Sequence, residues 1–166
     1  MNPLTRMAGA LAAGALTLLS LAGCDDRRIR ELEEDVSTEA DVRARFGEPE
    51  TIWPESDGGH TLEYNRQPAG HRNYMITIGP DGKMTALRQV LAPHNFERVR
   101  PGMDEEAVRR LLGKPAKSTP YVLKQETDWD WNWIDPPSRE MIFTATFGPD
   151  GRVKRAGSVE KLPDGR

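Results

Sequence analysis

The chain has 166 residues, a formal net charge of −3 and one cysteine. That length holds one ordinary domain or two small ones. The near-balanced charge excludes a broad basic footprint for nucleic acid or an anionic membrane surface, and a lone cysteine excludes an intrachain disulfide, so the fold must rest on an apolar core.

The first element in chain order is an export segment. Arg6 precedes an apolar run over residues 7–21, the length of a signal-peptide core and short for a membrane span. No later stretch approaches spanning length. Leu21, Ala22 and Gly23 then lead into Cys24. This word resembles the lipobox of bacterial lipoprotein precursors. The resemblance implies that residues 1–23 are removed and that Cys24 becomes the lipid-bearing first residue. It also gives the lone thiol a role, since each buried methylene of an acyl chain adds about 0.8 kcal/mol of membrane affinity. Asp25 and Asp26 follow directly. An aspartate there resembles the inner-membrane retention signal of enteric lipoproteins, so inner-membrane retention is the alternative to the expected outer membrane. Residues 24–36 are charged and poor in apolar side chains, and are expected to form a flexible, solvated tether.

Two related halves follow. Val42-Arg43-Ala44-Arg45-Phe46-Gly47-Glu48-Pro49 matches Val108-Arg109-Arg110-Leu111-Leu112-Gly113-Lys114-Pro115 at an offset of 66. Gly79-Pro80-Asp81-Gly82-Lys83-Met84 matches Gly148-Pro149-Asp150-Gly151-Arg152-Val153 at an offset of 69, and the drift is expected in a loop. Two matched words in one order read as tandem copies of one supersecondary unit, over residues 37–92 and 93–161, with residues 162–166 a disordered tail. Each copy opens on a short helix. Thr38 and Asp104 can cap its N-terminus, and Glu39 and Glu105–Glu106 suit the positive end of its dipole. Val42 and Phe46, like Val108 and Leu112, share one face. Gly47 and Gly113 fall where a left-handed closing residue is wanted, before Pro49 and Pro115. Such a helix is marginal alone and must pack on something.

Period-two alternation supplies that partner. Leu62 and Tyr64, then Tyr74, Ile76 and Ile78, alternate in the first copy. Trp129, Trp131 and Trp133, then Met141, Phe143, Ala145 and Phe147, alternate in the second. Trp53-Pro54 reads as a strand end. The Gly-Pro-Asp-Gly words are hairpin turns. Phe96 and Val99 fit a short helix in the connection ahead of Pro101-Gly102. The expected fold is therefore α+β: a tandem repeat of two small two-layer units, each a short helical segment on an antiparallel β-meander. One sheet face meets the helix and the other meets water or a partner.

With these residues in hand, the chain resembles the SmpA/OmlA family, the BamE-type lipoproteins of outer-membrane protein assembly. Arg100-Pro101-Gly102-Met103-Asp104 and the residues on to Pro115 look like the family's opening word, and the strands around Trp129–Trp133 and Phe143–Val153 continue the match. The doubled arrangement also resembles the tandem repeats of β-lactamase inhibitory proteins. The resemblance implies a non-catalytic accessory of β-barrel insertion, anchored by lipid and facing the periplasm, with barrel-assembly subunits as partners. An envelope enzyme inhibitor or peptidoglycan-binding module is the alternative, and partner-contact residues cannot be carried over.

Catalytic chemistry is not expected. No nucleophile motif or phosphate loop is present. The histidines, His60, His71 and His94, lack metal-ligand spacing and read as surface residues, so no metal and no cofactor are expected. The Trp129/Trp131/Trp133 stripe is either core or a partner groove; core is favoured because aromatics dominate cores by area. Arg98, Arg100, Arg109 and Arg110 are either a basic patch or a solvated helix surface, and the solvated surface is favoured.

Overall fold

The computed structural model describes residues 29–162. The export segment, Leu21, Ala22, Gly23, Cys24, Asp25 and Asp26 lie outside the described residues, as do residues 163–166 of the tail. Among the described residues no helix is long and apolar enough to cross a membrane.

Each half starts as its caps dictate. The Thr38 hydroxyl accepts from the Asp41 N–H at 3.3 Å and the Asp41 carboxylate accepts from the Thr38 N–H at 2.9 Å, opening helix α1 (Glu39–Phe46). The pair satisfies two otherwise orphaned amides. Asp104 accepts from the Ala107 N–H at 2.8 Å; a second short helix, α2 (Pro93–Phe96), precedes this cap, and α3 (Glu105–Leu112) follows it. The closing glycines depart from expectation. Gly47 and Gly113 have φ of 83° and 76°, but ψ of −160° and −178°. The backbone turns to positive φ and then extends, in a region almost closed to residues with a Cβ.

Strands β1 (Thr51–Pro54), β2 (His60–Asn65), β3 (Asn73–Ile78) and β4 (Met84–Gln89) form one antiparallel sheet in sequence order. Strands β5 (Lys117–Tyr121), β6 (Glu126–Asp135), β7 (Arg139–Phe147) and β8 (Val153–Glu160) form another. The fold is α+β, with two four-stranded antiparallel sheets and few, short helices. Both Gly-Pro-Asp-Gly words make the same turn. Gly82 N–H donates to Gly79 O at 2.9 Å and Gly151 N–H to Gly148 O at 3.0 Å, and a register shift follows each turn. The offset between halves does not change in a single loop. Thr51 pairs with Glu63 and Lys117 with Asp130, so it rises from 66 to 67 across the first hairpin. Tyr64 pairs with Tyr74 and Trp131 with Phe143, so it rises to 69 across the second.

Two cores result. Val42 and Phe46 join Leu62, Tyr64, Tyr74, Ile76, Ile78 and Met84. Val108 and Leu112 join Trp131, Trp133, Phe143, Ala145, Phe147 and Val153, with Phe96 and Val99 from the connection. Trp131 and Trp133 are buried and Trp129 packs on Phe147 with ring centroids 4.8 Å apart, so the tryptophan stripe is core. One bond recurs in both halves. The second-strand aromatic donates to the carbonyl of the closing glycine: Tyr64 Oη to Gly47 O and Trp131 Nε1 to Gly113 O, each at 3.0 Å.

Residues 29–36, the described part of the expected tether, are not free. Ile29 and Leu32 pack on the first core, Asp35 N–H donates to Met84 O and Met84 N–H to Ser37 O, both at 2.8 Å. The last strand of the sheet leaves an edge of unpaired backbone, and this segment covers its start.

Candidate functional site

The halves stack in one direction. Thr51, Glu63 and Met75 share the face of the first sheet opposite Leu62 and Ile76, and the second unit's helix α3 lies on it. The joint is polar. Glu63 is fully buried. Its carboxylate accepts from Trp53 Nε1 at 3.0 Å, Arg109 Nε at 3.3 Å and the Lys114 N–H at 2.8 Å. Arg109 also donates to Thr51 Oγ1 at 2.8 Å. Arg110 lies over the Trp53 ring, 4.6 Å from its centroid, a geometry in which the ring's negative face meets the cation. Asn73, also buried, donates to Leu112 O at 2.9 Å and Lys114 O at 3.1 Å, taking up carbonyls at the end of α3. Farther along, the Gln67 amide both accepts from Asn132 N–H at 3.0 Å and donates to Asn132 O at 2.8 Å. It stands in for a neighbouring strand where β5 stops short of β6.

These contacts correct the solvated reading of the arginines. Arg109, half-buried, pairs with the buried Glu63, and Arg110, though exposed, lies over Trp53, while Arg98 and Arg100 are exposed outside the joint. Nothing local marks Glu63 as buried, since it alternates with Leu62 and Tyr64 as a solvent-facing residue would. Its burial comes from the other half of the chain.

Beyond the joint the two units part into an open cleft of about 620 Å³. Met75 and Ala86 of the first sheet, with Val90 just after it, line the cleft together with Met103 and Leu111 of the second unit. Arg88 and Arg98 stand at its rim. Two of its hydroxyls meet: Thr61 Oγ1 lies 3.1 Å from Thr77 Oγ1 and 2.7 Å from Glu55 Oε1. The histidines stand apart in the chain, His60 opening β2 with Nε2 2.9 Å from Glu39 Oε2, His71 before β3 and His94 in α2.

The second feature is the tip of the β5–β6 hairpin. Val122–Lys124 form a single 3-10 turn, closed by Gln125 at φ 51°. Val122 is 81% exposed, Leu123 is fully exposed and Tyr121 is exposed beside them. Isolated surface apolar side chains are ordinary, but here three consecutive ones, Tyr121, Val122 and Leu123, are exposed together at the end of a hairpin. A sequence signal existed: this turn lacks the Gly, Asn or Asp that hairpin tips favour, and is apolar instead.

No family model matches the chain, and neither does any curated protein. Among solved structures the chain is similar to a DUF4309 family protein (YjgB) from Bacillus subtilis subsp. subtilis str. 168, at 19% identity and a TM-score of 0.30, over 78% of this chain and 81% of that one. It is also similar to a "putative beta-lactamase inhibitor protein" from Streptococcus mutans, at 10% identity and a TM-score of 0.34, over 82% of this chain and 98% of that one. Likenesses this distant carry no argument about what the chain binds.

Proposed function

We propose that this chain is a lipid-anchored, non-catalytic binding protein of the bacterial envelope, built from two copies of one helix-on-meander layer pair. Cys24 carries the lipid, and the protein sits on the outer membrane facing the periplasm, with inner-membrane retention through Asp25 and Asp26 as the alternative. By its resemblance to SmpA/OmlA proteins, its partners are subunits of the β-barrel assembly machinery. The observation that carries the binding reading is the hairpin tip, where Val122 and Leu123 stand in solvent while Trp131, Trp133, Phe143 and Phe147 of the same sheet are buried. Apolar side chains grouped in solvent on one projecting turn suit a protein contact, and a tethered module gains from effective concentration, so a small contact suffices.

The test is an affinity pull-down of C-terminally tagged, full-length protein from mild-detergent membranes, alongside Leu123→Asp and Cys24→Ala. Barrel-assembly subunits should co-purify, and Leu123→Asp should reduce them roughly ten-fold. Equal recovery with Leu123→Asp would remove the tip from the contact. Capture of an envelope hydrolase or cell-wall fragments in place of those subunits would turn the reading to an enzyme inhibitor or peptidoglycan-binding module on the same tip. Cys24→Ala should leave the membrane pellet with its fold intact; retention after a high-salt wash would overturn the lipid anchor.

A further inference from the structure

We infer that the cleft between the two units binds a short extended peptide with free ends, its carboxylate held by Arg88 and Arg98 and its amino group by Glu55 and Asp57. This site is separate from the hairpin tip, and the inference stands without the partner reading. Charge along the cleft is sorted by position. Thr61, Thr77 and Ala86 form one row across the first sheet, and Met75 and Arg88 belong to the next. Glu55 lies past the first row, where its N–H donates to Gly59 O at 3.0 Å beyond the last β1–β2 pair, and Asp57 is in the same turn. Arg98 stands at the other end, where Asn95 Nδ2 donates to Val90 O at 3.0 Å and ties α2 to the chain just after β4.

Neither end is neutralised among the described residues. Arg110, which also lines the cleft, is paired with Glu106 at 3.0 Å. Arg88 has no hydrogen-bond or ion-pair partner among the described residues, and Arg98 donates to the neutral Asn95 Oδ1 at 3.3 Å. At the acidic end Asp57 accepts from the Gly59 N–H at 2.9 Å and Glu55 from the Thr61 hydroxyl, and neither carboxylate is paired with a cation. Thr61 gives its one hydrogen to Glu55, so Thr77 is the donor in the Thr61–Thr77 contact. This relay fixes one oxygen of Glu55 and leaves the other for a ligand.

Spacing and the floor select the ligand. Ala86 to Val90 is four steps of extended chain, about 13 Å, so a ligand that meets both ends is an extended peptide of about four residues. Between the ends the lining is apolar, with Met75 and Ala86 on the first sheet and Met103 and Leu111 on the second unit. Thioether side chains adapt to differently shaped groups, so this floor takes apolar side chains without fixing which ones. A small inorganic anion would use the basic end and leave the floor wet. An aliphatic chain would cover the floor and leave both charged ends unanswered. A peptide with free ends answers all three, because a guanidinium offers several N–H donors to a carboxylate and an ammonium offers three to the two acids.

The test is a methyl NMR titration of the full-length Cys24→Ala protein. The probe is the tetrapeptide Ala-Leu-Leu-Ala with free ends, run beside its N-acetylated and C-amidated forms. Saturable shifts at the methyls of Met75, Met103 and Leu111 are expected with the free peptide, and blocking either end should weaken binding about ten-fold. Arg88→Gln should weaken the free peptide about ten-fold and leave the amidated one as in wild type, because the carboxylate it meets is already gone. Glu55→Gln, which keeps an acceptor for Thr61, should do the same for the acetylated peptide. Arg98→Gln and Asp57→Asn are the independent variants should either of these fail to fold. No saturable shift at millimolar peptide, shifts at Val122 and Leu123 instead, or equal binding of free and blocked forms would overturn the inference. So would a loss in Arg88→Gln that is the same for free and amidated peptides, since the arginine would then shape the cleft and not meet the carboxylate.

Discussion

Gly113 is fixed by two separate constraints, and its counterpart Gly47 by one. Both have positive φ with extended ψ. A Cβ on Gly113 would also lie 2.9 Å from Asn73 Nδ2, whereas one on Gly47 would meet nothing within 4 Å. Gly47→Ala should therefore lower stability by about 1–3 kcal/mol through backbone strain alone. Gly113→Ala should lower it by about 2 kcal/mol more through overpacking on Asn73. Urea unfolding of the two variants checks this, and equal losses would show that Asn73 moves aside freely. Glu126 is the other residue with a measurable signature. The Arg155 guanidinium, with the Lys154 ammonium, holds its carboxyl down to about 2 from an ordinary 4.5. A depressed carboxylate adds stability that is present above 4.5 and lost as pH falls toward 2. Glu126→Gln should therefore flatten the dependence of Tm on pH within that window and leave it unchanged above. An identical acid profile would place the ion pairs in solvent, where they contribute little.

Caps, turns and alternation are local, and at the scale of elements the sequence carried them well. Thr38, Asp104, the two Gly-Pro-Asp-Gly words and the aromatic alternation of β6 each act within a few residues of themselves, so their outcome could be read from the chain alone. Asp104→Ala should destabilise the protein by about 1 kcal/mol, the usual loss of an N-cap oxygen. A melting curve superimposable on wild type would show that Arg109 and Asn73 hold α3 without its cap. The elements that escaped sequence reading are those whose environment comes from far along the chain. Residues 29–36 look like a solvated tether because their charges dominate, yet their few apolar residues and backbone groups are needed at the first core and at β4. Arg109 looks like a helix-surface cation because its partner, Glu63, lies 46 positions earlier in another fold unit. The β5–β6 tip was legible in composition, as an apolar turn, but its exposure follows only from where the hairpin ends.

At the scale of the whole molecule the joint decides whether there are two objects or one. Glu63, Arg109 and Trp53 are buried or half-buried together, and a buried pair is costly to break because one charge is left behind. Glu63→Leu should destabilise the protein by about 3 kcal/mol and loosen the units. Adding Arg109→Met should recover part of that loss, since the stranded guanidinium is removed with its partner. A double variant no better than Glu63→Leu would mean that the Trp53 and Lys114 N–H groups, not Arg109, carry the joint. The directional stack has one more consequence. A unit that lays its helix on the back of the unit before it is, in principle, an endless filament, because the last sheet always offers the same back to another copy. Here the series is terminated in the side chains. Where the first sheet has Trp53, Glu63 and Asn73, the second has Thr119, Asp130 and Ile142. Asp130 is already taken by the Thr144 hydroxyl at 2.6 Å. At the other end Arg43, the counterpart of Arg109, is engaged by Glu39 and Glu48. Among the described residues neither end of the stack keeps the chemistry of its own middle, so the joint's contacts are not repeated at either end.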